Sequence, residues 1–206
     1  MKTKLLLLGF LIAVQSSLYS YSTDDLTITA ITDINFELAL IDLGIDSDGT
    51  VNGQVLTSDI NTITSLDLSD PLNNTNFPNV VALETLSIND NLVSSIDLSF
   101  NTSLHTFTCV NNALTSLDIS SNLLLKTLFL DNNQVSILNV NANTLLETLS
   151  FTLNNVSILN VNNNGVLKYL AFGRNQINTL DVSLNTNLET LLCDNNGLTS
   201  IDVSSN

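Results

Sequence analysis

From residue 83 onward the apolar positions of this chain recur every 21 residues. Leu83, Leu104, Leu125, Leu146, Leu167 and Leu188 open six successive units without a slip. Counted from that leucine, position 4 is Leu86, Phe107, Leu128, Leu149, Leu170 and Leu191, and position 6 is Ile88, Cys109, Leu130, Phe151, Phe172 and Cys193. Position 11 is always Val, Leu or Ile, position 14 Ile or Leu, and position 16 Leu, Ile or Val. Apolar residues two apart, at 4 and 6 and again at 14 and 16, form the alternation of a strand with one buried face. The pattern predicts two short strand-like segments per unit. A fixed period of this length is the signature of a solenoid, in which each coil buries its apolar face against its neighbours.

The polar columns are as regular. Position 9 is Asn in every unit (Asn91, Asn112, Asn133, Asn154, Asn175, Asn196), and so is position 19 (Asn101, Asn122, Asn143, Asn164, Asn185, Asn206). An Asn amide offers both donors and an acceptor, so one side chain can satisfy backbone groups that a bend leaves open. These columns are therefore expected to be structural corner ladders, each amide stacking on that of the next coil, and not ligand residues.

LKTLFLDNNQV at 125–135, and in degenerate form LETLSINDNLV at 83–93, resemble the leucine-rich-repeat signature LxxLxLxxNxL. The resemblance covers 83–206 and reaches back to Ile63, because 63–69 (ITSLDLS) matches the second half of a unit. With VSSIDLSFNTSL and INTLDVSLNTNL between the Asn corners, the chain looks like secreted bacterial leucine-rich-repeat proteins, akin to internalins and to proteins exported by type IX secretion. The resemblance implies a right-handed superhelix of 21-residue coils with parallel β-sheets. It also implies a binding role in adhesion or interaction at the cell surface, through the concave sheet. The expected partner is a protein or an extracellular polysaccharide.

Before the repeats the chain changes character. Residues 1–22 run from two lysines through an apolar stretch (Leu5 to Val14) to small polar residues, the order of a secretory signal peptide. About 10 apolar residues are too few to span a bilayer, so the mature chain is expected outside the cytoplasm with no transmembrane segment. Residues 23–62 are expected to form an N-terminal cap. Its helix starts at the N-cap residue Asp33, places Phe36, Ala39, Leu40 and Leu43 on one face, and stops at Gly44. The repeats then occupy 63–206, with an insertion at 70–79 that bulges from the first coil as a cap-to-repeat adaptor. No comparable cap closes the far end, so the array is expected to continue past Asn206.

Charge and chemistry narrow the function. Five basic residues face twenty acidic ones, for a net charge of −15. With no basic patch to neutralise phosphates, nucleic acid is excluded as a partner. One His, two Cys and no Trp leave little material for catalysis or metal cages, and no catalytic or cofactor residue is assigned. His105 falls in a surface column with Glu84, Lys126 and Glu147. Cys109 and Cys193 share a core column four coils apart, about 19 Å at one strand spacing per coil, out of disulfide reach. Calcium has one weak candidate, the turn around Asp46 and Asp48, whose spacing fits a calcium loop poorly. At position 15, Asp97, Asp118, Asn139, Asn160, Asp181 and Asp202 form a solvated, mostly acidic stripe. Positions 3 and 5 point outward and are mostly Thr and Ser. Phe129, Tyr169 and Leu192 stand out there as candidate partner-binding residues, with Thr127 and Thr148 beside them. The Thr column itself is the basis of a rival expectation, an ice- or polysaccharide-binding face.

Overall fold

A computed structural model describes residues 27–69 and 82–206; residues 1–22, expected to be a signal peptide, and residues 70–79, expected to be an insertion, lie outside the described residues. In chain order the elements are β1 (Ile28–Ala30), α1 (Ile34–Asp42), β2 (Gln54–Leu56), α2 (Thr57–Ile60), β3 (Ser65–Asp67), β4 (Thr85–Ser87), β5 (Thr106–Thr108), β6 (Ser116–Leu117), β7 (Thr127–Phe129), β8 (Ile137–Leu138), β9 (Thr148–Ser150), β10 (Tyr169–Ala171) and β11 (Thr190–Leu192). Strands β3, β4, β5, β7, β9, β10 and β11 lie side by side in chain order as one parallel seven-stranded sheet. From β4 onward each residue pairs with the one 21 further on, as Thr106 with Thr127 and Leu128 with Leu149. The period in the sequence is thus the register of the sheet. Strand β3 pairs with β4 at a spacing of 20, as Leu66 with Leu86, so 63–69 is the first half of a unit and not the second, and the first coil is one residue short where an insertion of nine was expected. Among the described residues no helix is long and apolar enough to cross a membrane.

Side chains at positions 1, 4, 6 and 11 fill one continuous core. Leu86, Phe107, Leu128, Leu149 and Leu170 are fully buried at position 4, and Phe151 and Phe172 stack at 5.9 Å between ring centres at position 6. Burial falls off at the last coil, where Cys193 is only partly covered and Val203 is exposed. Cys109, by contrast, is buried, and loss of solvent pushes its thiol up to about 12.

The second half of the unit departs from the expected strand. Positions 14 and 16 do turn inward, but only β6 and β8 pair there, over two residues each. Position 15 ends each of these segments. Its side-chain Oδ1 accepts the N–H two residues on, as Asp97 from Ser99 at 2.9 Å and Asn139 from Asn141 at 3.1 Å, and this local turn bends the backbone out of a ladder.

The Asn columns show how the corners close. At position 9, Asn133 donates from Nδ2 to the Cys109 carbonyl of the preceding coil (2.6 Å) and to its own Leu130 carbonyl (3.0 Å). Its Oδ1 accepts the Leu114 N–H at 3.0 Å. Asn112, Asn154, Asn175 and Asn196 repeat the links to the preceding coil, and Asn91 donates to the Leu68 and Ile88 carbonyls. At position 19, Asn143 donates to the Ile119 and Asn122 carbonyls at 3.0 and 2.9 Å, a pattern shared by Asn122, Asn164, Asn185 and Asn206. Asn101, the first of that column, is buried. In both columns these bonds run from amide to backbone, not from amide to amide: at position 19 carbonyls of the preceding coil take the amide hydrogens, and at position 9 one bond goes to the preceding coil and another to the residue's own. Position 19 leaves a residue of frustration: the Oδ1 atoms of Asn122, Asn143, Asn164 and Asn185 are buried without a hydrogen-bond partner.

At the N-terminal end Asp33 caps α1, accepting the Asn35 and Phe36 N–H groups at 2.9 and 3.3 Å. The helix ends at Leu43, and Gly44 follows at φ +68°, a conformation that favours glycine. Phe36, Ala39 and Leu40 are buried as the helical spacing predicts, but Leu43 is 51% exposed and Glu37 is buried in its place. Glu37 tolerates burial because its Oε1 accepts the N–H groups of Asn52, Gly53 and Gln54 at 2.8, 2.7 and 3.2 Å, tying α1 to β2. The buried face of α1, with Ile60 of α2, joins the same core as the coils.

Two outcomes follow for stability. Replacing Asn143 by Ala leaves buried carbonyls without donors and should lower unfolding free energy by about 2–3 kcal/mol, read by urea denaturation. Asp97, Asp118, Asp181 and Asp202 are held below the ordinary value of 3.8 by the Ser two residues on, chiefly through the Ser99 hydroxyl for Asp97 and the backbone N–H for the others. Their stabilisation is therefore present above that value and lost as pH falls through the lower folded-state values. Asp118→Asn with Asp181→Asn keeps both turns and should make the melting temperature fall less steeply below about pH 4.

Candidate functional site

Two rows of side chains run across the solvent side of the seven-stranded sheet. Position 3 lines up Ser65, Thr85, Thr106, Thr127, Thr148, Tyr169 and Thr190; position 5 lines up Asp67, Ser87, Thr108, Phe129, Ser150, Ala171 and Leu192. Strand alternation puts both rows on one face, opposite the buried position 4.

The two ends of this face differ. Toward β3 it is a hydroxyl network: Ser69 and Ser87 Oγ atoms lie 2.6 Å apart, and Thr108 Oγ1 donates to Ser87 Oγ at 3.0 Å. Toward β11 the position 5 row becomes apolar and uneven. Phe129 is half-buried and Leu192 is 47% exposed, while Ser150 and Ala171 between them are 5% and 2% exposed. Phe129 and Leu192 are three strand spacings apart, about 14 Å. The face therefore has two large apolar groups separated by a floor of small side chains, with Tyr169, also half-buried, rising from the same strand as Ala171. Thr127 and Thr148 flank it in the neighbouring row, half-buried. Of the three large groups expected to be exposed, only Leu192 is; Phe129 and Tyr169 are half-buried.

One edge of this face is built by residues that the periodic reading passed over. Asp131 Oδ1 accepts from Ser150 Oγ at 2.6 Å and from the Thr152 N–H at 2.8 Å, and so fixes the rim beside Phe129. Two coils further on, a Cβ at Gly173 would lie 2.6 Å from Asp194 Oδ1, so a larger residue there would displace that side chain. Position 8 holds a positive φ in all six units: Asp90, Asn111, Asn132, Leu153, Arg174 and Asn195, at 54–59°. Asn and Asp tolerate this left-handed conformation, and the first three form a side-chain ladder through Asn111 Nδ2 to Asp90 (2.7 Å) and Asn132 Nδ2 to Asn111 (2.8 Å). Leu153 and Arg174 break it. The Asp and Asn at four of the six positions were the signal for the turn.

The remaining candidates sit apart. His105 is half-buried, with Nδ1 enclosed and without a hydrogen-bond partner, and not freely exposed as its column suggested. Cys109 and Cys193 are both free thiols. Asp46 and Asp48 form consecutive turns: Asp46 Oδ1 accepts the Asp48 N–H at 3.2 Å, and Asp48 accepts from Thr50 and Asn52. Among the described residues no three His, Cys, Asp or Glu side chains group as a metal cage would need. One surface ion pair, Lys168 to Glu147 at 2.6 Å, crosses between coils on the flank of the sheet.

No family model and no curated protein matches the sequence. Solved structures do match. An internalin (InlF) from Listeria monocytogenes superposes with a TM-score of 0.60 at 25% identity, over 72% of this chain and 46% of that one. A Shigella effector leucine-rich-repeat domain gives a TM-score of 0.62 at 20% identity, over 85% and 73%. Internalin C2 of Listeria monocytogenes gives 0.58 at 20% identity, over 86% and 92%. The fold is accordingly a leucine-rich-repeat solenoid, and this chain spans less than half the length of InlF.

The strained position 8 provides a check on the rim. Leu153→Asn relieves an unfavourable backbone conformation and should raise unfolding free energy by about 1 kcal/mol, measured by thermal and chemical denaturation of the two proteins side by side.

Proposed function

We propose that this leucine-rich-repeat solenoid is a secreted or cell-surface recognition scaffold that binds a protein partner through the solvent side of its seven-stranded sheet, in adhesion or a related interaction. The observation that carries the reading is the interruption of the hydroxyl rows by Phe129, Tyr169 and Leu192 around the small floor of Ser150 and Ala171. Large apolar side chains over a shaped floor are what an interface anchor needs, whereas a uniform hydroxyl surface offers no such hold. The likeness to internalins and to effector repeat domains supports a protein-interaction scaffold. The signal-peptide pattern of residues 1–22 supports export.

A second reading rests on the in-register threonines at 85, 106, 127, 148 and 190, whose regular spacing suits ice or a crystalline polysaccharide. Tyr169 breaks that column, and the position 5 hydroxyls beside it are partly engaged with one another.

The test is capture of extracellular proteins and polysaccharides by residues 23–206, beside a Phe129→Asp, Tyr169→Asp, Leu192→Asp variant checked for folding by circular dichroism. Loss of protein capture by at least tenfold in the variant is the expected result. Equal capture by both proteins would reject the sheet face as the site. Retention of polysaccharide or ice binding that Thr106→Val with Thr148→Val abolishes would establish the second reading instead.

A further inference from the structure

The repeats serve as their own alignment, and two adjacent coils break its rules together on the face opposite the sheet. Position 13 is Ser95, Ser116, Thr179 and Ser200 in four coils but Ile137 and Ile158 in the middle two. Position 15 is Asp97, Asp118, Asp181 and Asp202 in the same four coils, and Asn139 and Asn160 in the same two. Local structure does not demand either change. Asn139 and Asn160 accept the N–H two residues on at 3.1 and 2.9 Å, just as Asp118 and Asp181 do at 2.9 Å, so the turn is the same and only the charge is gone. The isoleucines gain no packing from the exchange: they are 74% and 79% exposed, the highest values among the large exposed apolar side chains.

Relief of repulsion between stacked carboxylates does not account for the pattern. Alternating Asp and Asn would achieve that, but here two Asn adjoin while Asp97 and Asp118, and Asp181 and Asp202, remain neighbours about 4.8 Å apart. Nor does it account for isoleucine in the adjoining column. The result is an apolar, uncharged window two coils wide, bracketed by Asp118 on one side and Asp181 on the other, three coil spacings or about 14 Å apart. Three shallow depressions follow one another across it from Asp118 to Asp181, the first two sharing Ile137 and Asn139 and the last two sharing Asn160.

From this geometry we infer that the back face is a second interaction surface, which takes an extended peptide segment carrying an apolar residue between two basic ones. In an extended strand, residues i, i+2 and i+4 share a face and span about 13–14 Å, which matches the bracket: basic groups at the ends meet Asp118 and Asp181, and the central side chain lies on Ile137 and Ile158. A second copy of this chain is a poor occupant. A two-fold contact centred on the window would bring Asp118 of one molecule toward Asp181 of the other, and none of the five basic residues lies in positions 13–17 to offset it.

The probe is a fluorescein-labelled Lys-Thr-Leu-Thr-Lys peptide with blocked ends, followed by anisotropy against the full chain, with Glu-Thr-Leu-Thr-Glu as its counterpart. Two variants copy what other coils of this protein already carry, so the fold is preserved: Ile137→Ser with Ile158→Thr, and Asp118→Asn with Asp181→Asn. Each should weaken binding of the basic peptide at least tenfold with unchanged circular dichroism. The sheet-face triple variant should bind it as the parent does, which separates this surface from the one proposed above. Absence of binding to the parent, equal binding of the acidic peptide, or unchanged affinity in either back-face variant would overturn the inference. So would a dimer in sedimentation that Ile137→Ser with Ile158→Thr dissolves, since that would assign the window to self-association.

Discussion

The amide group of asparagine, bonded to backbone carbonyls one coil away, is the constraint on which this molecule depends. A solenoid has two kinds of backbone to satisfy. Strand backbone finds partners in the adjacent strand, but the corners, where the chain turns, would otherwise bury open carbonyls. Asn133 alone serves a carbonyl in each of two coils and an N–H in a third place. The link reaches 24 residues back from Asn112 onward, and Asn91 makes it to the Leu68 carbonyl 23 residues back, across the shorter first coil. The corner thus requires its amide to meet the carbonyl of the preceding coil, a hydrogen-bond requirement that stands beside the packing one.

Freedom is left only where no neighbouring coil makes demands. Positions 3 and 5 on the sheet, and 13 and 15 on the back, lie outside the corner and core columns, and there the coils differ from one another. The sheet face goes from hydroxyls near β3 to Phe129, Ala171 and Leu192 near β11, while the back face is acidic at both ends and neutral at its centre. Function in such an array is written as departures from its own average, and a single molecule supplies six samples of that average.

Much of this was legible in the sequence because burial and hydrogen bonding leave few alternatives. A leucine or asparagine that recurs at fixed spacing in six units has one physical explanation, and the columns at positions 1, 4, 6, 9 and 19 fall where that explanation puts them. The parts that resisted depend on local competition that alternation does not register. Positions 14 to 16 alternate like a strand, yet the position 15 side chain captures a nearby N–H and bends the chain. On α1, apolar Leu43 is exposed and charged Glu37 buried, because three backbone donors outside the helix wait for that carboxylate. The left-handed turn at position 8 was obscured by Leu153 and Arg174, the two residues least suited to it. For Phe129 and Tyr169 the period gave the row and the strand, but not the degree of exposure, which alternation does not encode.

The reach of the corner bonds has a mechanical consequence. Every coil is held by its immediate neighbours and by nothing further away, so a load applied along the chain from the Asn206 end meets one coil at a time. Each coil that yields would release 21 residues, about 70 Å of extended chain, in exchange for about 4.8 Å of folded rise. An array built this way resists a pull as a series of equal latches, lengthening in steps rather than failing as a whole, and for a protein tethered between two surfaces that is a different property from being stable.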